Sequence, residues 1–296
     1  MIIQNFFNNS EEKILISHGN CSDGFGAAWA IWKEYGDSVR YHFATHSDAP
    51  YLYKNKTILF LDFAYERKIM DVLDKTNKLL VIDHHSYSVE DLKGFKNAIL
   101  DMKKSGAVLA WEHLYPNIEV PTILKYVQDR DLRKFELPYS HEVLSVLDTI
   151  PKTFKNWELF SLMLDKDFSS IVEKGKILKH QFNNILNGII KEARPVNIDG
   201  YNGLVVNANW EFASYAADKL SEKADFGIAW FIDKSGQAKC SFRSSNGLNV
   251  NNLAAIYGGG GHDHSAGATI SLDTLTRMLN NEDALLEKSH PKIKIR

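Results

Sequence analysis

Three short apolar runs in the first hundred residues each end on a side chain able to hold a metal or a phosphate. They are Ile14-Leu15-Ile16-Ser17-His18, Ile58-Leu59-Phe60-Leu61-Asp62 and Leu79-Leu80-Val81-Ile82-Asp83. Continuous apolar runs of this length mark strands buried on both faces of a parallel sheet. Helical stretches, Gly24 to Tyr35 and Tyr65 to Lys75, lie between them, so the order reads βαβαβ. Parallel neighbours need crossover connections, so this order predicts a parallel sheet with helices on both faces. In such a sheet the ligand crevice lies beyond the carboxyl ends of the strands. His18, Asp62 and the tripeptide Asp83-His84-His85 are therefore expected at one edge.

At 296 residues and 44% hydrophobic content, the chain can bury a proper core and is expected to form two domains. Residues 1–160 are read as the first, with a further helical pair, Gly106 to Leu114 and Thr122 to Gln128, leading into Asp129-Arg130-Asp131. Ile171, Ile177, Leu178, Phe182, Ile185, Leu186 and Ile189 then share one helical face, and Arg194-Pro195 stops it, so 161–195 is expected as a connecting helix. Residues 196–296 are read as a smaller domain with strands at 203–206, 226–232 and 238–242, a helix at 214–223 and a glycine cluster. The fold class is α/β in both. The basic end, Lys288 to Arg296, reads as a solvated tail.

The 35 Lys and Arg against 37 Asp and Glu give a net charge of -2, which argues against tight binding of long nucleic acid. Two cysteines, Cys21 and Cys240, are too few for a disulfide scaffold and fit a reducing compartment. No apolar run approaches a membrane span and the start carries no export signal, so a cytoplasmic location without membrane contact is expected.

The segment His18-Gly19-Asn20-Cys21-Ser22-Asp23-Gly24 joins a strand to a helix and carries an imidazole, a thiol and a carboxylate. Taken alone, it reads as a helix start capped by Ser22 or Asp23, and Asp62 reads as a cap for the helix near Tyr65. Taken with Asp83, His84 and Asp131, it makes four elements converge on one sheet edge. Carboxylates and imidazoles without a cysteine cluster suit Mn2+ or Mg2+ better than a structural zinc, and shared carboxylates allow two ions about 3.5–4 Å apart. In the second domain, Arg243 offers a planar fork for phosphate, and Ser244 and Ser245 offer hydroxyls. Gly258 to Gly261 can expose successive N–H groups as an anion nest, with His262 and His264 beside it. Asn207, Asn209 and Trp210 read equally as base or ribose contacts and as a polar loop cluster. Trp29 and Trp32 are assigned to the core, and His42 and His46 are given no chemistry.

These motifs, in this order, resemble those of the DHH/DHHA1 phosphoesterase superfamily, which includes RecJ-type exonucleases, nanoRNases and cyclic-dinucleotide phosphodiesterases. The resemblance rests on Asp83-His84-His85, on His18 with Asp23-Gly24, on Asp62, and on Arg243-Ser244-Ser245 followed by Gly258-Gly259-Gly260-Gly261-His262. It spans nearly the whole chain and implies a DHH domain, a DHHA1 domain and an active site in the cleft between them. It implies two divalent ions, Mn2+ or Mg2+ or another such metal, held by His18, Asp23, Asp62, His84 and Asp131, with Asp129 the alternative to Asp131. It implies roles in catalysis for His85, Asp83 and Arg243, and in substrate binding for Arg243, Ser244, Gly259, Gly260, Gly261 and His262. Where relatives carry Asp-x-Asp-Gly, this chain has Cys21-Ser22-Asp23-Gly24. Cys21 is then either a soft ligand, which would favour Zn2+ or Fe2+, or a small buried residue, with the first metal held weakly and water in the missing carboxylate's place. The expected activity is hydrolysis of short oligonucleotides, linear dinucleotides or 3'-phosphoadenosine phosphate. A RecJ-like single-strand exonuclease, a polyphosphatase and a silent nucleotide-binding module are the alternatives, and a homodimer is compatible with the sequence.

Overall fold

The computed structural model describes residues 2–282 apart from 9, 11 and 47, so the basic stretch Lys288 to Arg296 lies outside the described residues. Two compact units divide the chain, Met1–Lys179 and His180–Arg296.

In the first unit, a short helix α1 (Ile2–Phe7) precedes strands β1 (Lys13–His18), β2 (Val39–Ala44), β3 (Thr57–Leu61), β4 (Lys78–Asp83) and β5 (Ala98–Leu100). The strands form one sheet in the order β2-β1-β3-β4-β5, with every pair parallel. From β1 the chain moves outward to β2 and then returns to the other side of β1 as β3. That reversal creates a topological switch point between β1 and β3, where an open α/β sheet leaves a crevice. His18 ends β1 and Asp62 follows β3, so these two side chains flank it.

Alternation along the strands feeds two cores. Leu15, Leu59, Leu61, Leu80 and Ile82 join one cluster, while Ile14, Ile16, Ile58, Phe60, Leu79 and Val81 join the other. Each such side chain, fully buried, contributes about 1.5–3 kcal/mol relative to exposure, so a one-residue slip that exchanged the faces is strongly disfavoured.

Helix α2 (Ser22–Tyr35) crosses from β1 to β2 with Ala27, Ala28, Trp29, Ala30 and Ile31 all buried. It ends at Gly36, whose φ of 52° needs glycine and whose N–H reaches the Trp32 carbonyl. Its N-cap is Cys21 rather than Ser22 or Asp23, because the Cys21 sulfur accepts the Gly24 N–H at 3.1 Å. Nor does Asp62 cap a helix. Phe63, Ala64 and Tyr65 first bury themselves in the second core, and α3 (Arg67–Asp74) starts only after Glu66.

Helices α4 (Ser86–Asp91), α5 (Gly106–Leu114), α6 (Thr122–Asp131), α7 (Ser140–Asp148) and α8 (Phe154–Lys166) complete this unit. The segment expected as one helix over 161–195 is interrupted at Asp167, whose carboxylate accepts the Ser170 N–H at 3.1 Å. Helix α9 (Phe168–Lys191) starts there and runs from one unit into the other. Its Ile171 and Val172 pack in the first unit's core and its Leu186 in the second's.

The second unit begins with β6 (Arg194–Ile198) and β7 (Tyr201–Asn207), followed by α10 (Trp210–Ser221), β8 (Phe226–Ile232) and β9 (Ala238–Arg243). Then come α11 (Val250–Ile256), β10 (Gly260–His262), β11 (Ser265–Ile270) and α12 (Leu272–Leu279). The sheet order is β10-β11-β9-β8-β7-β6; β7 and β8 are parallel across α10, and the other pairs are antiparallel. Ala213, Ala216, Ala217 and Leu220 of α10 cover one face, and residues of α11 and α12 cover the other. Among the described residues, no helix is long and apolar enough to cross a membrane.

Candidate metal centre

The carboxyl ends of β1, β3 and β4, the first turn of α2 and the last turn of α6 bring six side chains together in the first unit. Nε2 of His84 lies 3.1 Å from Asp62 Oδ1, 3.4 Å from Asp131 Oδ2 and 3.5 Å from Asp23 Oδ2. On the other side of Asp62, Oδ2 lies 3.7 Å from His18 Nδ1 and accepts from the Cys21 thiol at 3.5 Å. Donor atoms of Asp23, His84 and Asp131 form one group of metal-binding size, and those of His18, Cys21 and Asp62 form another.

Local structure aims each of them. Asp62 has a left-handed φ of 56°, which ends β3 and turns the carboxylate off the sheet; Asp tolerates that region better than most residues. The Asp23 carboxylate accepts the Gly106 and Ala107 N–H groups at 2.6 and 3.0 Å, so the N-terminus of α5 fixes it. Gly106 is required there, because a Cβ would stand 2.5 Å from Asp62 Cβ. Gly24 is equally constrained, since its Cβ would meet the His18 carbonyl oxygen at 2.3 Å.

Asp83 is buried and fully engaged. It accepts the His84 N–H at 2.7 Å, the Ser88 hydroxyl at 2.5 Å and His85 Nδ1 at 2.8 Å. It therefore ties the His84 backbone and the His85 ring, while its own carboxylate groups with Asp62, His84 and His85 at metal-binding distances. Asp62 Oδ1 and His84 Nε2 are different: both are buried and neither has a hydrogen-bond partner, although they are 3.1 Å apart. Buried polar atoms are normally satisfied. Two donors sharing one divalent ion at about 2.0–2.3 Å each sit roughly 3 Å apart, so the donor set fits a cation.

The electrostatics agree. Burial first, then Asp23, Cys21 and Asp83, drives the Asp62 carboxyl well above the usual carboxylate range. Asp131 is pushed up to about 7, again by burial and then by Asp23. Burial lowers His18 and His84 and raises the Cys21 thiol. His85 moves upward, because its bond to the Asp83 carboxylate outweighs burial, and Asp83 moves downward because His85, Ser88 and the His84 amide outweigh burial there. Neutral imidazoles among mutually repelling carboxylates are what a divalent cation compensates.

The two candidate aspartates of α6 separate cleanly. Asp129 accepts the Glu136 and Leu137 N–H groups at 2.9 and 3.2 Å, which anchors the turn after α6, and it takes no part in the cluster. The guanidinium of Arg130, one residue on, holds Asp148 and Ser22. His46, given no chemistry from sequence, lies beside the centre. Its Nε2 contacts the Tyr87 hydroxyl at 2.9 Å, its ring lies 4.9 Å from Phe63, and Tyr87 stacks on His85 at 5.0 Å. Its position just beyond β2, at the same sheet edge, was the available signal. A cleft of about 490 Å³ opens at His46 and Tyr87 and is also lined by Glu66, Glu90 and Asp91.

The second unit departs from the sequence expectation in two ways. Arg243 does not present an open fork: Nη2 donates to the Ser214 hydroxyl at 2.9 Å, Nη1 to the Phe242 carbonyl at 2.9 Å, and Nε faces Asp218 at 3.4 Å. Gly258 to Gly261 do not form a nest, because the Gly258 and Gly259 N–H groups close α11 on the Ala255 and Ala254 carbonyls and Gly260 and Gly261 enter β10. Ser244 and Ser245 donate to the Leu248 and Ser221 carbonyls, and Asn209 caps α10. His262 is exposed, as is Trp210 at 71%.

Residues 201–288 match the family model of the DHHA1 domain, and the parallel-sheet unit before them carries Asp83-His84-His85 at its ligand edge. The chain is thus similar to the DHHA1 domain over its second unit, and its first unit carries the parallel-sheet edge described above. The chain is 28% identical over 293 residues to the uncharacterized protein R106 of Acanthamoeba polyphaga mimivirus, covering 90% of this chain and 69% of that one. Its fold is similar to that of PggH, a pGpG-specific phosphodiesterase of Vibrio cholerae, with a TM-score of 0.54, 15% identity, and 94% and 100% of the two chains covered. It is also similar to Thermus thermophilus RecJ, solved with Mn2+, with a TM-score of 0.53 and 13% identity. That match takes in 98% of this chain and 54% of RecJ.

Proposed function

We propose that the chain hydrolyses phosphoester bonds in short oligonucleotides or small nucleotides, using divalent cations, Mn2+ by preference, held by Asp23, Asp62, His84, Asp131 and His18. The observation that carries this reading is the pair of buried, unpartnered donors Asp62 Oδ1 and His84 Nε2, 3.1 Å apart. When bound, such cations supply Lewis acidity, which lowers the pKa of water and stabilises charge on a phosphoryl group. The chain's own residues do the rest. The α5 amides hold Asp23, and Asp83 ties His85 through Nδ1, leaving Nε2 as the ring atom for a phosphate oxygen. The raised His85 favours the protonated, phosphate-neutralising form.

Two observations support a short substrate. The near-neutral net charge gives little counterion-release drive toward long strands. Glu66, Glu90 and Asp91 line the cleft beside the centre, where a continuing run of phosphates would meet carboxylates. The same cleft opens on the Tyr87 and His46 rings, which suit a base. PggH is named for a dinucleotide substrate, which agrees with this reading.

The test is turnover with Mn2+ of labelled RNA and DNA from dinucleotides to long strands, with 3'-phosphoadenosine phosphate and cyclic dinucleotides alongside. Rates falling with length, and lost in His84→Ala, are expected; fastest turnover of long single strands would select the RecJ-like alternative. Tyr87→Ala is expected to raise KM for a dinucleotide about tenfold, since stacking contributes on the order of 1–3 kcal/mol per base. Unchanged KM would remove the base from that cleft.

A further inference from the structure

We propose that Cys21 binds metal as a thiolate, giving the centre two unlike positions. One, made by His18, Cys21 and Asp62, takes a borderline cation such as Zn2+, Fe2+ or Co2+, and the other, made by Asp23, His84 and Asp131, takes Mn2+ or Mg2+. The inference rests on the metal-dependent reading above and adds the identity of the ions.

The geometry places the sulfur among donors and not in the apolar core. Cys21 Sγ lies 3.4 Å from His18 Nδ1 and 3.5 Å from Asp62 Oδ2. Asp62 is 1% exposed, and its other oxygen, unpartnered, faces the His84 group, so one buried carboxylate spans both positions. Capping does not explain a cysteine at this place: Ser and Asp are the preferred N-caps, and thiol sulfur is the weaker acceptor. The extended backbone of Cys21, with φ -116° and ψ 163°, turns the side chain back over the first turn of α2. There the Gly24 N–H donates to the sulfur at 3.1 Å. Cys240, by contrast, is packed among the apolar residues of its own unit's core.

Hardness then divides the positions. Thiolate and imidazole select borderline cations, whereas carboxylates with a single imidazole suit Mn2+ and Mg2+. On binding, the S–H bond breaks as the metal–sulfur bond forms, and the proton passes to solvent; no electron is transferred.

Cys21→Ser and Cys21→Asp test this directly, because both replacements cap helices well and circular dichroism checks that the fold is kept. Wild-type protein loaded with Co2+ is expected to show near-ultraviolet thiolate-to-cobalt charge-transfer absorption, absent from both variants. In competitive dialysis against Zn2+ and Mn2+, Zn2+ affinity is expected to fall by about 10- to 100-fold in Cys21→Ser, a loss that even outer partners of a metal site produce. Cys21→Asp is expected to hold Mn2+ in its place. Should either variant unfold, wild-type protein alone decides: the cobalt band, together with metal protection of Cys21 but not Cys240 from a change in alkylation by iodoacetamide, supports the proposal. Bound Co2+ without the band overturns the role of Cys21 and leaves the metal-dependent reading standing. Failure of the wild type to bind either Mn2+ or Co2+ overturns both.

Discussion

On α6 the Asp129 carboxylate accepts the Glu136 and Leu137 amides, whereas that of Asp131 turns toward His84 at 3.4 Å. Two carboxylates so placed should respond oppositely to neutralisation. Asp129→Asn removes charge-assisted bonds to part-buried amides and is expected to destabilise the protein by about 1.5–3 kcal/mol, with metal affinity in the surviving folded protein little changed. Asp131→Asn is expected to abolish or sharply weaken Mn2+ binding while the metal-free protein melts no lower than wild type, since a repelling charge leaves a buried cluster. Thermal melts paired with metal titrations read both effects, and the reverse pattern would transfer the metal-facing role to Asp129. The choice was open in the sequence because both residues follow the same helical run; only the turn after α6, which folds the 136–137 amides back over Asp129, distinguishes them. His46 was passed over for a similar reason, since no motif surrounds it and its place at the sheet edge is a property of the strand.

At the scale of elements, strands were the legible part. β1, β3 and β4 announce themselves as continuous apolar runs, and their polar last residues mark the functional edge. The short strands β5 and β10 carry no such run, and β10 is built from glycines that read as a loop. Helix starts were less legible, because the cap of α2 is a cysteine and the residues after Asp62 enter the core before α3 begins. Least legible was the docking of α5, whose first residue, Gly106, touches Asp62 while its amide holds Asp23. A methyl group at Gly106 would meet Asp62 Cβ at 2.5 Å, so either α5 retreats or the carboxylate is displaced. Gly106→Ala is therefore expected to lower Mn2+ affinity and turnover together, by about tenfold or more, although residue 106 offers no ligand. Isothermal titration would check it; unchanged affinity would show that α5 is not part of what aims the centre.

Across the whole molecule, the first unit buries Asp23, Asp62 and Asp83 beneath one sheet edge, each at 3% exposure or less. Asp83 is satisfied by hydrogen bonds and Asp23 by the α5 amides, but Asp62 is held against burial and against its neighbours. Folding of this unit and occupation of the centre are therefore linked. A cation that binds the folded form alone adds about 2.7 kcal/mol at a hundredfold excess over its Kd. Mn2+ is accordingly expected to raise the melting temperature of the wild-type protein and chelation to reverse it, with the effect lost in Asp62→Asn. Hydrogen exchange should place the gain in segments 13–25, 58–64, 80–88 and 104–131, whose backbones carry or orient the donors. The second unit has its own hydrophobic cores, and the donors named above lie outside it, so its amides should exchange at the same rate with and without Mn2+. Equal protection of both units by Mn2+ would contradict a centre made by the first unit alone.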